Sequence, residues 1–188
     1  MPAKGNFFGS TLVSLRPGDP PAQSLSLASG LALIEAVDVA APGLAVMLKW
    51  PNDVDVGGQK LAGVLVEARW RGSRLDWVAI GVGINVRPPV GFDGAGLALG
   101  VQRVDVLASV VPALRAATRA TGPLTDDELA RYAHRDLALG RVCTEPAGGV
   151  VAGIRPDGAL LVDTPAGRIA CHAGSLVLAP ANSLGSRS

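Results

Sequence analysis

Cysteine is scarce in this 188-residue chain, and Cys143 and Cys171 are the only two. Their spacing fits neither a CxxC metal pair nor a disulfide framework, so both are read as reduced structural residues. Histidine is as sparse. His134 falls on a predicted helix and His172 in the strand-rich C-terminal stretch, with no Ser or Cys nucleophile motif beside either, and both are read as packing or surface residues. No HxH, HxxxH or carboxylate cluster points to a bound transition metal. An excess of one charge is missing too: 17 basic against 16 acidic side chains leave a net charge of +1. That balance gives no electrostatic warrant for binding nucleic acid or a membrane surface. No run of about 18 apolar residues occurs, and the start, MPAKGNFFGS, has neither the basic segment nor the apolar core of a signal peptide. A cytoplasmic protein is the default expectation.

What the chain does have is apolar mass and punctuation. Apolar residues make up 48% and charged residues 18%, with 24 glycines and 14 prolines. A globular protein rich in turns and short strands follows, rather than a disordered chain or a helical bundle. The length suits one domain with a real core, or a domain of about 140 residues carrying a small module.

Asn6 to Leu15 reads as a strand closed by the turn-rich Arg16 to Pro21, after which Gln23 to Val37 changes to helical spacing. Pro42-Gly43 breaks that helix and Leu44 to Lys49 returns as a buried strand. Gly57-Gly58 is the pairing of a tight hairpin, and Lys60 to Trp70 and Leu75 to Val86 follow as two long strands joined at Arg71 to Arg74. The core of this region is therefore predicted to be an antiparallel sheet. Val104 to Thr121 is helical in pattern despite Pro112, and Thr125 to Glu128 has the Thr-x-x-Glu form of a capping box opening a short helix toward Leu139, with Gly140 as its C-cap. From Arg141 short strand-like runs alternate with Gly and Pro turns, the look of a small barrel that must lean on the larger domain. The domains are accordingly placed at 1–139 and 140–180, with 181–188 a frayed tail.

The chemistry concentrates in three pieces: Lys49-Trp50-Pro51-Asn52-Asp53, Lys60-Leu61-Ala62-Gly63-Val64-Leu65-Val66-Glu67 and Ile80-Gly81-Val82-Gly83-Ile84-Asn85-Val86. A lysine opening a strand is commonly an edge guard against sheet pairing. Here it has company. Gly63, Gly81 and Gly83 interrupt two adjacent strands, which weakens them unless a ligand or another backbone comes close. Two asparagines and a lysine beside a glycine-lined sheet face suit a ligand with a flat hydrogen-bonding group and an anionic centre, and an adenine nucleotide has both. Gly81-Val82-Gly83 is not a dinucleotide fingerprint, because Val86-Arg87-Pro88-Pro89 follows where a third glycine and a helix are required. A Walker loop is absent as well.

These three pieces, in this order and spacing, resemble the consecutive signatures of the biotin protein ligases. Gly5-Asn6-Phe7-Phe8 resembles the strand preceding them, and Asp157 to Leu160 with Gly174-Ser175-Leu176 resembles that family's small SH3-like C-terminal module. The resemblance runs from about Lys4 to Leu178. It implies an α+β fold, a mixed and largely antiparallel sheet with helices of the class II synthetase-like biotin/lipoate ligase type, plus the SH3-like barrel. It also implies a biotin and ATP site that uses Mg2+ to form biotinoyl-5′-adenylate, then passes biotin to a lysine of a carboxylase carrier domain. Carried over position by position, Lys60 contacts the biotin carboxylate and then the adenylate phosphate, while Gly63, Val64 and Gly81 bed the ligand. Asn52, Asn85 and Leu65 hold the nucleotide, Trp50 and Pro51 shape the site, and Asp53 assists the acceptor lysine. A homodimer is possible; a DNA-binding repressor role is not expected, since no helix-turn-helix segment precedes the domain, and the charge balance gives no ground for a nucleic-acid or membrane partner.

One departure matters. The family places a basic loop of the form GRGRxGR, with a Ser/Thr and a Gln upstream, before the strand that resembles Gly5 to Leu15, and this chain starts at Met1-Pro2-Ala3-Lys4. The chain is read as an N-terminally incomplete ligase, with a natural short homologue as the competing reading. Without that loop the intermediate would face water, so feeble activity is expected. Two other readings stay open: a non-catalytic homologue that docks carrier domains or itself, and a lipoate-type acyltransferase.

Overall fold

Alternation of apolar and small or polar residues along two long strands decides the architecture, because it gives a sheet with one face to bury and one to leave open. The computed structural model describes residues 7–13, 22–91, 93–97, 100–118 and 122–180; Gly5, Asn6, the turn at 16–21 and the tail from 182 lie outside the described residues. Five strands, β1 (Phe7–Val13), β2 (Val46–Lys49), β3 (Asp53–Val56), β4 (Gln59–Arg71) and β5 (Arg74–Ile84), form one sheet in the order β1-β5-β4-β3-β2. Every neighbouring pair is antiparallel. The predicted hairpins at Gly57-Gly58 and Arg71 to Arg74 are both present.

One face of this sheet is covered by α1 (Ala22–Ala40) and α2 (Arg103–Ala117). Val46, Leu48, Val54, Ala62, Val64, Val78, Ile80, Val82 and Ile84 point into the layer between them and are all under 5% exposed. From α1, Leu25, Leu31, Leu33, Ile34 and Val37 meet them, and Val106, Val110 and Leu114 arrive from α2. By length and composition, Gln23–Ala40 could cross a membrane, yet 67% of that stretch is buried inside the protein. It is the central core helix. Pro112 lies on the exposed side of α2, where its missing N–H interrupts one turn without burying an unpaired carbonyl against the sheet.

The third helix, α3 (Asp126–Arg135), opens on the expected capping box, Thr125 and Glu128 exchanging hydrogen bonds. It ends sooner than the pattern suggests. Asp136 bridges to Leu48 on the outer edge of β2, and the Leu137 N–H donates to the Leu48 carbonyl at 2.8 Å. Pairing with a sheet edge outcompetes another helical turn, so Gly140 is not the C-cap; it closes a separate turn from which its N–H donates to the Val151 carbonyl. Arg131 and Arg135 tie α3 to Glu35 and Asp38 of α1.

The C-terminal strands β6 (Val142–Glu145), β7 (Gly149–Ile154), β8 (Leu160–Thr164), β9 (Gly167–Cys171) and β10 (Val177–Leu178) make a second antiparallel sheet, ordered β10-β6-β7-β8-β9. Its apolar side, including Cys143, Val151, Leu160, Val162 and Leu176, joins the same hydrophobic cluster as the first sheet. The seam is specific. Trp50, 1% exposed, donates its indole N–H to the Gly158 carbonyl at 3.1 Å. Gly158 has φ +88°, and a Cβ there would stand 2.9 Å from backbone atoms of Gln23 and Ser24 at the start of α1. Only glycine lets this turn press against the helix.

Candidate active site

The open face of the first sheet is defined by register. Gly63 pairs with Gly83 and Leu65 with Gly81, while Asp53 pairs with Gly63 and Lys49 with Asp53. One row across four strands therefore reads Lys49, Asp53, Gly63, Gly83, and the next row holds Leu65 and Gly81. Leu65 is 57% exposed. Val64 sits on the opposite side, its side chain 1% exposed in the core, so only its backbone belongs to the site.

A bulge shapes the floor. The β3–β4 register shifts between Val54, opposite Ala62, and Asp55, opposite Lys60, which leaves Leu61 as the extra residue. Lys60 and Gly63, three apart, thereby share a face that strict alternation would have denied them. The Lys60 side chain folds back over Gly63, where a Cβ would lie 3.2 Å from both its Cε and Nζ. Its ammonium meets Asp53 Oδ1 at 2.5 Å. That oxygen is covered and has no directed hydrogen-bond donor among the described residues, so the ammonium's charge is what stabilises it.

The bulged strand leaves carbonyls that the ladder cannot satisfy, and the third sequence piece supplies the donors. The Asn85 N–H donates to the Leu61 carbonyl at 2.9 Å and its Nδ2 to the Lys60 carbonyl at 3.3 Å, while the Ala95 N–H also donates to the Lys60 carbonyl at 2.9 Å. Asn52 does similar work on the other side. Its Nδ2 donates to the Val64 carbonyl at 2.8 Å, and its own carbonyl accepts the Val64 N–H at 2.9 Å. Both asparagines thus fix the backbone around Lys60. Trp50 and Pro51 stand behind them, Pro51 accepting a hydrogen bond from Ser26 Oγ at 3.3 Å.

Two charged residues of the site were given no role from the sequence, although one of them opens the first of the three pieces. Asp55, 5% exposed, is opposite Lys60 on the same face as Asp53. Burial raises its carboxyl above the ordinary range, with Lys49 and Lys60 pulling it back and Asp53 adding to the rise. The other is Lys49, whose charge reaches Asp55 from β2. The signal was the Asp-x-Asp alternation in β3, which places both acids on one face. The segment around Ala95 left no pattern. Its Gly94 and Gly96 fold against Pro88 and Pro89 so tightly that a Cβ at Gly96 would lie 2.4 Å from the Pro88 nitrogen. His134 and His172 are exposed, far along the chain from this face, and both cysteines are free thiols. Among the described residues no group of three His, Cys, Asp or Glu is placed to hold a metal ion.

A lysine ammonium laid across a glycine floor, with a carboxylate as its counter-ion and asparagines bracing both sides, is an anion-receiving surface. Comparison with known proteins gives the family of the chain. The family model for the biotin/lipoate A/B protein ligase family matches residues 4–85. The biotin–acetyl-CoA-carboxylase ligase of Paracoccus denitrificans is 34% identical over 187 residues, covering 89% of this chain and 78% of that protein. The chain belongs to the biotin protein ligase family. The corresponding ligase of Mycobacterium tuberculosis is 35% identical, across 88% of this chain and 67% of its own length. Among solved structures, the biotin protein ligase from Aquifex aeolicus in complex with biotin and ATP superposes with a TM-score of 0.76 over 93% of this chain and 78% of that one, at 24% identity. That likeness concerns the fold, a mixed α/β arrangement with antiparallel sheets. The curated relatives make this chain an enzyme of the ligase class.

Proposed function

We propose that this family member joins biotin to ATP as biotinoyl-5′-adenylate and transfers the biotinoyl group to a lysine of a biotin carboxyl carrier domain, in the cytoplasm. The observation that carries the proposal is the Lys60 ammonium lying over Gly63 on the open sheet face. In the first step the biotin carboxylate attacks the α-phosphorus of ATP and pyrophosphate leaves. Two anions must approach, so a fixed cation at the point of closest charge lowers the barrier, and Lys60 is that cation. The row Gly63, Gly83 and the neighbouring Gly81 leave the sheet surface low enough for the adenylate to lie against it, with Leu65 an exposed apolar contact beside them.

Asn52 and Asn85 are assigned to the adenosine. The Asn52 amide nitrogen is committed to the Val64 carbonyl, which leaves its oxygen to accept from the exocyclic amine of adenine. Magnesium, when present, would arrive with the nucleotide phosphates and shield their charge; the site's oxygen donors, Asp53 and Asp55, are too few for a cage and fit a metal that keeps phosphate and water ligands. In the second step the acceptor amine attacks the acyl carbon, AMP leaves, and Asp53, in the row beside Gly63, takes the amine's proton. The C-terminal sheet is assigned as the family's SH3-like module, docked through Trp50.

Adenylate formation in a Lys60→Ala variant, followed with labelled ATP and biotin, tests the assignment. A loss of about 100-fold or more is expected for a charge aimed at the reacting phosphoryl oxygen. Rates close to those of the parent would discard the role of Lys60.

A further inference from the structure

The place an anion would take on Lys60 is already filled. The ammonium lies over Gly63, on the floor of the open face, and its neighbour there is Asp53 Oδ1 at 2.5 Å. The two residues differ in freedom: the Lys60 side chain is 54% exposed and sits on a flexible stem, whereas Asp53 is 24% exposed on a short strand between β2 and β4. An arriving anion can therefore draw the ammonium away from Asp53 but cannot move Asp53 out of the row. The row has a second cation to receive the abandoned carboxylate. Lys49 is opposite Asp53 on β2, and its charge already reaches the face, because it is the leading attraction on Asp55. Lys4, Lys49 and Lys60 are the chain's three lysines against 14 arginines, and two of the three flank this pair of carboxylates. A compact ammonium, unlike a planar guanidinium held by a bidentate fork, can exchange one oxygen partner for another without reorienting a plane.

We propose that Asp53 has a second role, as a resident counter-ion that positions Lys60, and that the substrate's anionic group binds by replacing it, Asp53 passing to Lys49. This rests on the biotin reading for the identity of the anion, not for the exchange itself. The consequence is selectivity for charge: a carboxylate ligand must displace Asp53, and a neutral analogue need not.

The three lysines make the exchange observable. Methylation with ¹³C gives one signal per lysine ammonium, and the full chain is titrated with biotin, with uncharged biotinamide and with inorganic phosphate. In Asp53→Asn the Lys60 signal should shift in the free protein, and the Kd for biotin should fall about three- to fivefold, the range expected when a half-exposed ion pair is no longer in competition. Biotinamide should bind both proteins equally. A merely structural role for Asp53 would weaken biotin and biotinamide together, and that result overturns the proposal, as does unchanged biotin affinity. If neither protein binds biotin, the biotin reading fails instead, and phosphate then decides the exchange: tighter phosphate binding at the Lys60 signal in Asp53→Asn supports it, equal binding refutes it. Asp53→Ser, which also removes the charge, repeats the measurement should the asparagine variant fold poorly.

Discussion

Replacing Gly63 with alanine should separate folding from ligand binding. The atoms an added methyl would meet are Lys60 Cε and Nζ at 3.2 Å and Asp53 Oδ1 at 3.4 Å. All belong to side chains, and the nearest are the far end of a flexible one, so the lysine can give by a few tenths of an ångström without moving the sheet. The loss from loosening a half-exposed ion pair is roughly 0.2–1 kcal/mol. Against it stands the gain of roughly 0.5–1 kcal/mol for removing a glycine from a strand interior. The two nearly cancel, and the variant's unfolding free energy from urea titration should stay within about 1 kcal/mol of the parent's. Binding is another matter. A methyl raises the floor by the length of one carbon–carbon bond, and overfilling a close contact by one methyl costs roughly 1–3 kcal/mol, or about 5- to 150-fold in Kd. Calorimetry with biotin and ATP, beside urea unfolding of the same preparation, reads both quantities. A stable variant that binds both ligands as the parent does would refute the claim that this row is the ligand's bed, and a variant that unfolds would refute the packing argument.

Two further predictions concern how the site is held. Trp50→Phe keeps the buried ring but orphans the Gly158 carbonyl it donates to at 3.1 Å, so unfolding free energy should drop by about 1–3 kcal/mol; an unchanged urea midpoint would mean the seam between the sheets does not depend on that bond. Asp136 is buried at the edge of β2, and burial pushes its carboxyl up to about 6 against the opposing pull of the Ala138 and Leu139 amides. Its unfolded value is about 3.9. Below that pH the group is protonated in both states, and its contribution is full. As pH rises from about 4 to about 6 the unfolded chain releases the proton and the native state does not, so stability falls, by up to about 3 kcal/mol. Asp136→Asn should therefore match the parent near pH 4 and exceed it at pH 7.5. Equal stability at both pH values would sink this account.

The framework of the fold was legible because it rests on local rules. Hairpins at Gly57-Gly58 and at Arg71 to Arg74, the buried α1 and the capping box at Thr125 each follow from a few adjacent residues. The early end of α3 was not legible, since what stops it is an edge strand 88 residues earlier in the chain. Helical propensity has no access to that partner.

The site divides along the same line. Glycines at 63, 81 and 83 announce themselves because they contradict their strands, and the register turns them into one floor. That Lys60 reaches this floor depends on the bulge at Leu61, which no residue type at that position signals, since leucine is what an unbulged core strand would also carry. The bulge in turn leaves carbonyls that Asn85 and Ala95 must satisfy. An asparagine in an apolar strand reads from sequence as a group offered to a ligand; in the fold its amide first completes the backbone that aims the lysine. Asn85 therefore links two requirements that would otherwise be independent, the satisfaction of an irregular strand and the placement of a cation. A change there should alter Lys60 even in a protein that has no ligand to bind.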